Sequence, residues 1–172
     1  MPFLYHAVPE GMAGTVLYPL NVLKAKMPDV FDVQAKKYAG REFVMEYRIP
    51  ILDCLWNDVL HFAAVHPRDV KKALMDAGRK EAIEQRYFEI DPHALDPAST
   101  VVYLYPDREK SPSDFVPYDP ERVAEYSKLP DATASYYADK IAKGERPLLY
   151  VRVPHILFKG SLETSGIRVI SV

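Results

Sequence analysis

Short strands and helices interleave along this chain without a regular strand–helix–strand rhythm, which predicts an α+β fold rather than a doubly wound one. Two further observations support that class. The 172 residues match one domain with a sizeable core, and 15 Pro against 7 Gly imply short elements joined by stiff connections. The expectation is a single α+β domain over residues 1–172, a twisted mixed sheet flanked by helices.

Phe3 to Val8 reads as the first strand, aromatic and β-branched, closed by Pro9-Glu10-Gly11. After Gly14, Val16-Leu17-Tyr18 leads to Pro19. Leu20, Leu23 and Met27 then recur at helical spacing up to Pro28. A second helix is predicted from Pro28 to Tyr38, with Pro28 and Asp29 as start signals and Gly40 as the stop. Phe43, Met45, Tyr47 and Ile49 alternate, which predicts a half-buried strand over Glu42 to Ile49. Leu52 to Val65 is the least polar stretch, and its period fits a buried strand pair or a buried helix equally.

Pro67 to Ala77 has Val70, Leu74 and Ala77 on one helical face and Gly78 as its stop. Glu84 to Ile90 and Thr100 to Tyr105 read as strands, separated by two Asp-Pro turns. Asp107 to Pro120, polar and proline-rich, predicts an irregular surface loop. Glu121 to Lys128 and Thr133 to Lys143 read as helices. Leu148 to Val153 and Ile167 to Val172 read as the last strands, with Pro154 to Gly166 between them as a connection.

Composition excludes several classes. At a formal net charge of −2 no global field draws the protein to nucleic acid or to an anionic membrane, although a local basic face is compatible with that balance. No apolar run approaches a membrane span, so no membrane partner is expected. The first residues lack the basic and apolar regions of a signal peptide, and the lone Cys54 has no internal disulfide partner; a cytoplasmic location is expected. Walker A, GxGxxG, HExxH, GxSxG and EF-hand patterns are all absent.

Three constellations carry chemistry. Trp56-Asn57-Asp58 with His61 and His66 sets polar groups in an apolar run. On a helix, Asp58 would orient His61 as a general base; the two also suit metal ligation; as a turn, Asn57-Asp58 is the corner between two strands. Lys36, Lys37 and Arg41 with Tyr38 complement a helix C-terminus, or hold a phosphate while Tyr38 stacks on a base. Tyr103, Tyr105, Tyr118, Tyr126, Tyr136 and Tyr137 serve either as core or as a platform for a nucleobase or nicotinamide. Cys54, among Ile51, Leu52, Leu55 and Trp56, reads as core.

The opening Leu4-Tyr5-His6, followed by a loop with Gly14 and then a helix, resembles the first motif of the ADP-ribosyltransferase fold. That superfamily includes DNA-modifying ADP-ribosyltransferase toxins and RNA 2′-phosphotransferases. The resemblance implies NAD as cofactor, with His6 on its adenosine ribose and Tyr103 or Tyr105 along the nicotinamide. It assigns Glu145 to the oxocarbenium-like transition state, with Glu163 as rival. The closing Gly166 to Val172 is similar to the terminal strand of that fold. The chain departs from the pattern where the family carries a Glu or Gln two residues before the catalytic one: Lys143 and Ser161 stand there. The block Arg41 to Pro67 has no counterpart in the family.

These readings lead to a nucleotide-handling protein with an NAD or ADP-ribose pocket, the ADP-ribosyltransferase-like chemistry being the resemblance's contribution alone. A non-enzymatic ligand- or protein-binding module of a bacterial or phage accessory system is the alternative. A hydrolase built on Asp58, His61 and His66 is a third reading. The sequence leaves open any nucleic-acid or protein acceptor.

Overall fold

A computed structural model describes residues 2–81 and 84–172. The first strand, β1 (Leu4–Ala7), is followed by the short β2 (Val16–Leu17) and by helices α1 (Leu20–Lys26) and α2 (Pro28–Ala35). Pro28 divides the helices. The residue before a proline is pushed out of the helical region, and Met27 sits at φ −145°, ψ 73°. A 3₁₀ turn over Lys36–Tyr38 extends α2 to the end that the sequence predicts.

The predicted strand Glu42 to Ile49 is mostly a 3₁₀ turn, Glu42–Glu46, with only β3 (Arg48–Ile49) extended. Arg41 N–H donates to the Tyr38 carbonyl and Gly40 N–H to the Glu42 carboxylate, so the chain keeps turning after α2. Alternation alone does not make a strand where no sheet edge receives it. The apolar stretch resolves into β4 (Cys54–Leu55), a 3₁₀ turn at Trp56–Asp58 and β5 (Leu60–Phe62), so Asn57-Asp58 is a corner between strands. Helix α3 (Pro67–Asp76) buries Val70 and Leu74; the His66 ring caps it by accepting from Arg68 N–H at 3.1 Å.

The second half contains β6 (Arg86–Ile90), β7 (Thr100–Tyr103), β8 (Phe115–Pro117), α4 (Asp131–Ala142), β9 (His155–Phe158), β10 (Leu162–Glu163) and β11 (Arg168–Ser171). Three of its elements differ from the sequence reading. Asp107 to Pro120 is not wholly irregular, because Ser111 and Asp114 form a capping box that launches β8 along the edge of β7. Leu148 to Val153 is a series of turns rather than a strand. The central strand β9 lies in the stretch read as a connection: Pro154 and Gly160 bracket it, yet Ile156 and Leu157 are both fully buried. A strand covered on both faces shows no alternation.

The α+β class holds. In place of one mixed sheet, the described strands pair only antiparallel, in the orders β1-β6-β11, β5-β9-β7-β8, β2-β10 and β3-β4. A bridge between Tyr5 and Ala63 joins the two larger sheets. Successive residues of the four-stranded sheet face two cores. Val102, Ile156 and Phe62 pack with Leu4, Phe88 and Ile90. Val101, Tyr103 and Leu157 pack with Trp56, Phe115 and Leu23. Each such aliphatic side chain contributes about 1.5–3 kcal/mol by leaving water. Among the described residues no helix is long and apolar enough to cross a membrane.

Candidate functional site

On the second face of the four-stranded sheet lies a cleft of about 720 Å³. The 3₁₀ turn at 56–58, the end of β7, the start of β9 and the turns at 148–151 meet around it. Its floor is aromatic. Trp56, the sole tryptophan, meets Tyr47 and Tyr103 edge-on at 6.4 and 5.7 Å between ring centroids. Tyr103 stacks with Tyr105 at 5.1 Å and with Phe115 at 4.9 Å. Tyr105 reaches that position through a left-handed backbone at φ 48°, uncommon for a residue other than glycine and costly enough to persist mainly at functional sites.

Two wall segments are tied together and to the scaffold. Arg152 pairs with Asp107 at 2.6 Å, linking the turns that end at Val153 to the loop after β7. The turns themselves hang on one face of α4. Thr133 Oγ1 donates to the Val151 carbonyl at 2.9 Å, Tyr137 Oη donates to the Leu149 carbonyl, and Leu148 N–H donates to Tyr136 Oη at 3.2 Å. Backbone groups that would otherwise need a strand partner are thus satisfied by side chains, which is why this segment has no ladder.

Three histidines stand along the cleft and its side recess. Nδ1 of His6 donates to the Ala7 carbonyl at 2.7 Å, Nε2 of His61 to the Trp56 carbonyl at 2.8 Å, and Nδ1 of His155 to the Val153 carbonyl at 2.6 Å. Each bond fixes the tautomer and leaves the other ring nitrogen as an acceptor. Burial holds all three neutral: His6 and His155 titrate at about 4, and His61 lies well below the usual histidine value. Among the described residues no three His, Cys, Asp or Glu side chains gather as metal ligands.

The recess, about 90 Å³, shares Lys37, Tyr38 and His61 with the main cleft and is also lined by His6 and Asn57. Asn57 is 1% exposed, yet neither polar atom of its side chain has a hydrogen-bond partner. A buried carboxamide with a free donor and a free acceptor requires an occupant of the recess, water or ligand, to avoid a penalty of about 1–3 kcal/mol.

Lys37, Arg41, Arg108 and Lys110 are the cations of the lining, and no Asp or Glu lies among its described residues. Arg108 is committed to the buried Asp114, which also accepts from Ser111 N–H. Lys37, Arg41 and Lys110 form no ion pair among the described residues. Burial lowers the Lys37 pKa, the expected effect on an ammonium whose charge lacks a counter-ion.

The residues assigned by resemblance divide into two groups. His6, Tyr103 and Tyr105 line this cleft system. Glu145 and Glu163 do not. Glu145 is exposed beyond the end of α4 and pairs with Lys140 at 2.5 Å. Glu163 is exposed on β10 and accepts from Ser165 N–H at 2.9 Å, which holds its carboxyl below the ordinary glutamate value.

Asp58, His61 and His66 are engaged separately. Asp58 accepts from Asn21 and from Leu55 N–H, both at 2.7 Å, and His66 caps α3. Cys54 is buried and its thiol pKa is raised, chiefly by burial, as a core residue requires. Sequence reasoning missed His155, Tyr47 and Lys110 as cleft residues. Tyr47 was absorbed by the alternation of residues 43–49, and neither His155 nor Lys110 stands in a pattern that marks a site. No protein-family model matches the chain, and neither a curated protein nor a solved structure is detectably similar to it.

Proposed function

We propose that the protein binds a nucleotide of the NAD or ADP-ribose class in this cleft. One observation carries the reading: aromatic rings and cations without carboxylate partners share one cavity. A nucleotide presents that same pair of features, a flat π-surface and an anionic phosphate. In this reading Lys37 and Arg41 take the phosphates and Tyr105 and Tyr150 take a base. The orphaned Asn57 carboxamide and the acceptor nitrogen of His6 or His61 take hydroxyls or a base edge in the recess.

Trp56 supplies the assay. Titration with ADP-ribose, NAD, AMP and adenosine is followed by its fluorescence and by thermal shift, since a ligand of the native state alone raises the melting temperature. Arg41→Ala weakens ADP-ribose at least tenfold and leaves adenosine within about twofold, the pattern of a lost charge-assisted phosphate contact. Absence of binding by every phosphate-bearing compound refutes the reading.

The positions of Glu145 and Glu163 outside the lining favour binding without glycosyl transfer, the second of the sequence's readings. An ADP-ribosyl transfer needs a carboxylate against the developing ribosyl cation. Glu145→Gln and Glu163→Gln are expected to leave NAD binding unchanged, and any NAD cleavage abolished by either one restores the transferase reading.

A further inference from the structure

The ammonium of Lys110 lies 3.8 Å from the ring centroid of Tyr47, 4.4 Å from that of Trp56 and 4.8 Å from that of Tyr103. All three distances are within the range of cation–π attraction, about 6 Å. The cation has neither an ion pair nor a hydrogen bond among the described residues. It sits at the end of a side chain on the loop between β7 and β8, where Asp107 and Arg108 are tied down by Arg152 and Asp114.

The chemistry of this cage does not suit its occupant well. A primary ammonium has three N–H donors, and π-faces satisfy them poorly. A quaternary, fully methylated ammonium has the same charge and no donors to leave unpaired. Each cage ring also meets a neighbouring ring: Tyr103 meets Phe115 at 4.9 Å, Trp56 meets His61 at 4.8 Å and Tyr47 meets Phe43 at 5.9 Å. His61 and His155, the histidines beside Trp56, are held neutral and add no competing charge.

We propose that the Tyr47–Trp56–Tyr103 cage is a binding site for a quaternary, N-methylated ammonium group of a small molecule, and that Lys110 is its tethered stand-in. The ligand enters from the cleft, Lys110 swings out on its flexible four-carbon stem, and the tethered amine sets a threshold concentration for entry. This site goes beyond the nucleotide reading and does not depend on it, because it uses the rings around Lys110 and requires no phosphate.

The test compares choline with its uncharged isostere 3,3-dimethylbutan-1-ol, and tetramethylammonium with ammonium, in the full chain and in Lys110→Gln. Binding is read by Trp56 fluorescence and by upfield ring-current shifts of the N-methyl protons. A tether acts as an effective concentration in the millimolar range, so removing it tightens choline binding about tenfold or more. In Lys110→Gln, choline outbinds the isostere about 30-fold, the ratio equivalent to about 2 kcal/mol of desolvated cation–π attraction, and tetramethylammonium outbinds ammonium. Tyr47→Leu, on a half-buried ring at the cage rim, lowers choline affinity while the melting temperature reports whether the fold is intact. Equal binding of choline and the isostere overturns the proposal, as does an unchanged affinity, or no binding, in Lys110→Gln. Nucleotide titration of the same variant keeps the two readings apart: loss of one ligand class leaves the other to be measured.

Discussion

Trp56→Ala is the most informative single perturbation of this fold. The side chain is 7% exposed and joins the second core to the cleft floor. Truncating a large buried aromatic costs about 3–5 kcal/mol, the sum of lost transfer free energy and of the cavity left behind. Here one side of that cavity opens to a cleft that water can fill, so the cavity contribution shrinks and the lower end, about 3 kcal/mol, is expected. For a domain of this size each kcal/mol moves the melting temperature by about 2–4 °C, giving a fall of about 6–12 °C. The assay is urea unfolding followed by far-ultraviolet circular dichroism, because the variant has no tryptophan left to report. The midpoint should fall with an unchanged slope. A loss below about 1 kcal/mol would mean that the indole is not packed as described.

Stability should also fall on mild acidification. Unfolded histidines bind protons below about pH 6.5, whereas folded His6 and His155 resist until about 4, so their contribution is complete above 6.5 and disappears between 6.5 and 4. Urea midpoints across that window should show a shallower slope in His155→Gln, and an unaltered slope would show that His155 protonates freely in the folded state. Gly160→Ala places a Cβ 2.5 Å from the Phe158 ring, so the ring must shift; a destabilisation of about 1–3 kcal/mol in chemical unfolding is expected, and a neutral result would mean that the ring moves freely. Amides of β7, paired on both sides by β8 and β9, should exchange far more slowly than those of Asp107 to Lys110, with similar rates at both places contradicting the four-strand order.

The sequence's helices were legible because their ends are written in local chemistry: Pro28, Pro67 and Gly78 stand where α2 starts and α3 starts and stops. Strands depended on partners far away in the chain. Phe43, Met45 and Tyr47 alternate as a strand would and have no edge to join, whereas Ile156 and Leu157 do not alternate and form the centre of a sheet. Asp58 and His61 lie three residues apart, but Asp58 sits in the turn and His61 on β5, and each bonds to the main chain of Leu55 or Trp56 instead of to the other. For the cleft, Lys37, Tyr38, Arg41, Trp56, Tyr103 and Tyr105 were visible as members of three unrelated clusters. Their convergence is a property of the tertiary fold, set by the β7–β9 pairing and by the turns that follow α4, neither of which has a local signature. His6 was visible from the first strand, and its neighbour in the recess, Asn57, was visible as a polar residue in an apolar run; that both would face one small cavity was not.

The three bonds from α4 to the turns at 148–151 all end on main-chain atoms. Main-chain donors and acceptors are the same whatever side chains the residues carry. Thr133, Tyr136 and Tyr137 therefore hold part of this wall's path whatever side chains it carries; Leu149 and Tyr150 also pack into the core, while the exposed Leu148 is free to set what the wall presents. Address and content are written in different parts of the chain. Substitutions at Leu148 can thus redraw the ligand preference of the cleft with its width preserved, whereas a change at Thr133 or Tyr137 moves the wall and leaves its chemistry intact.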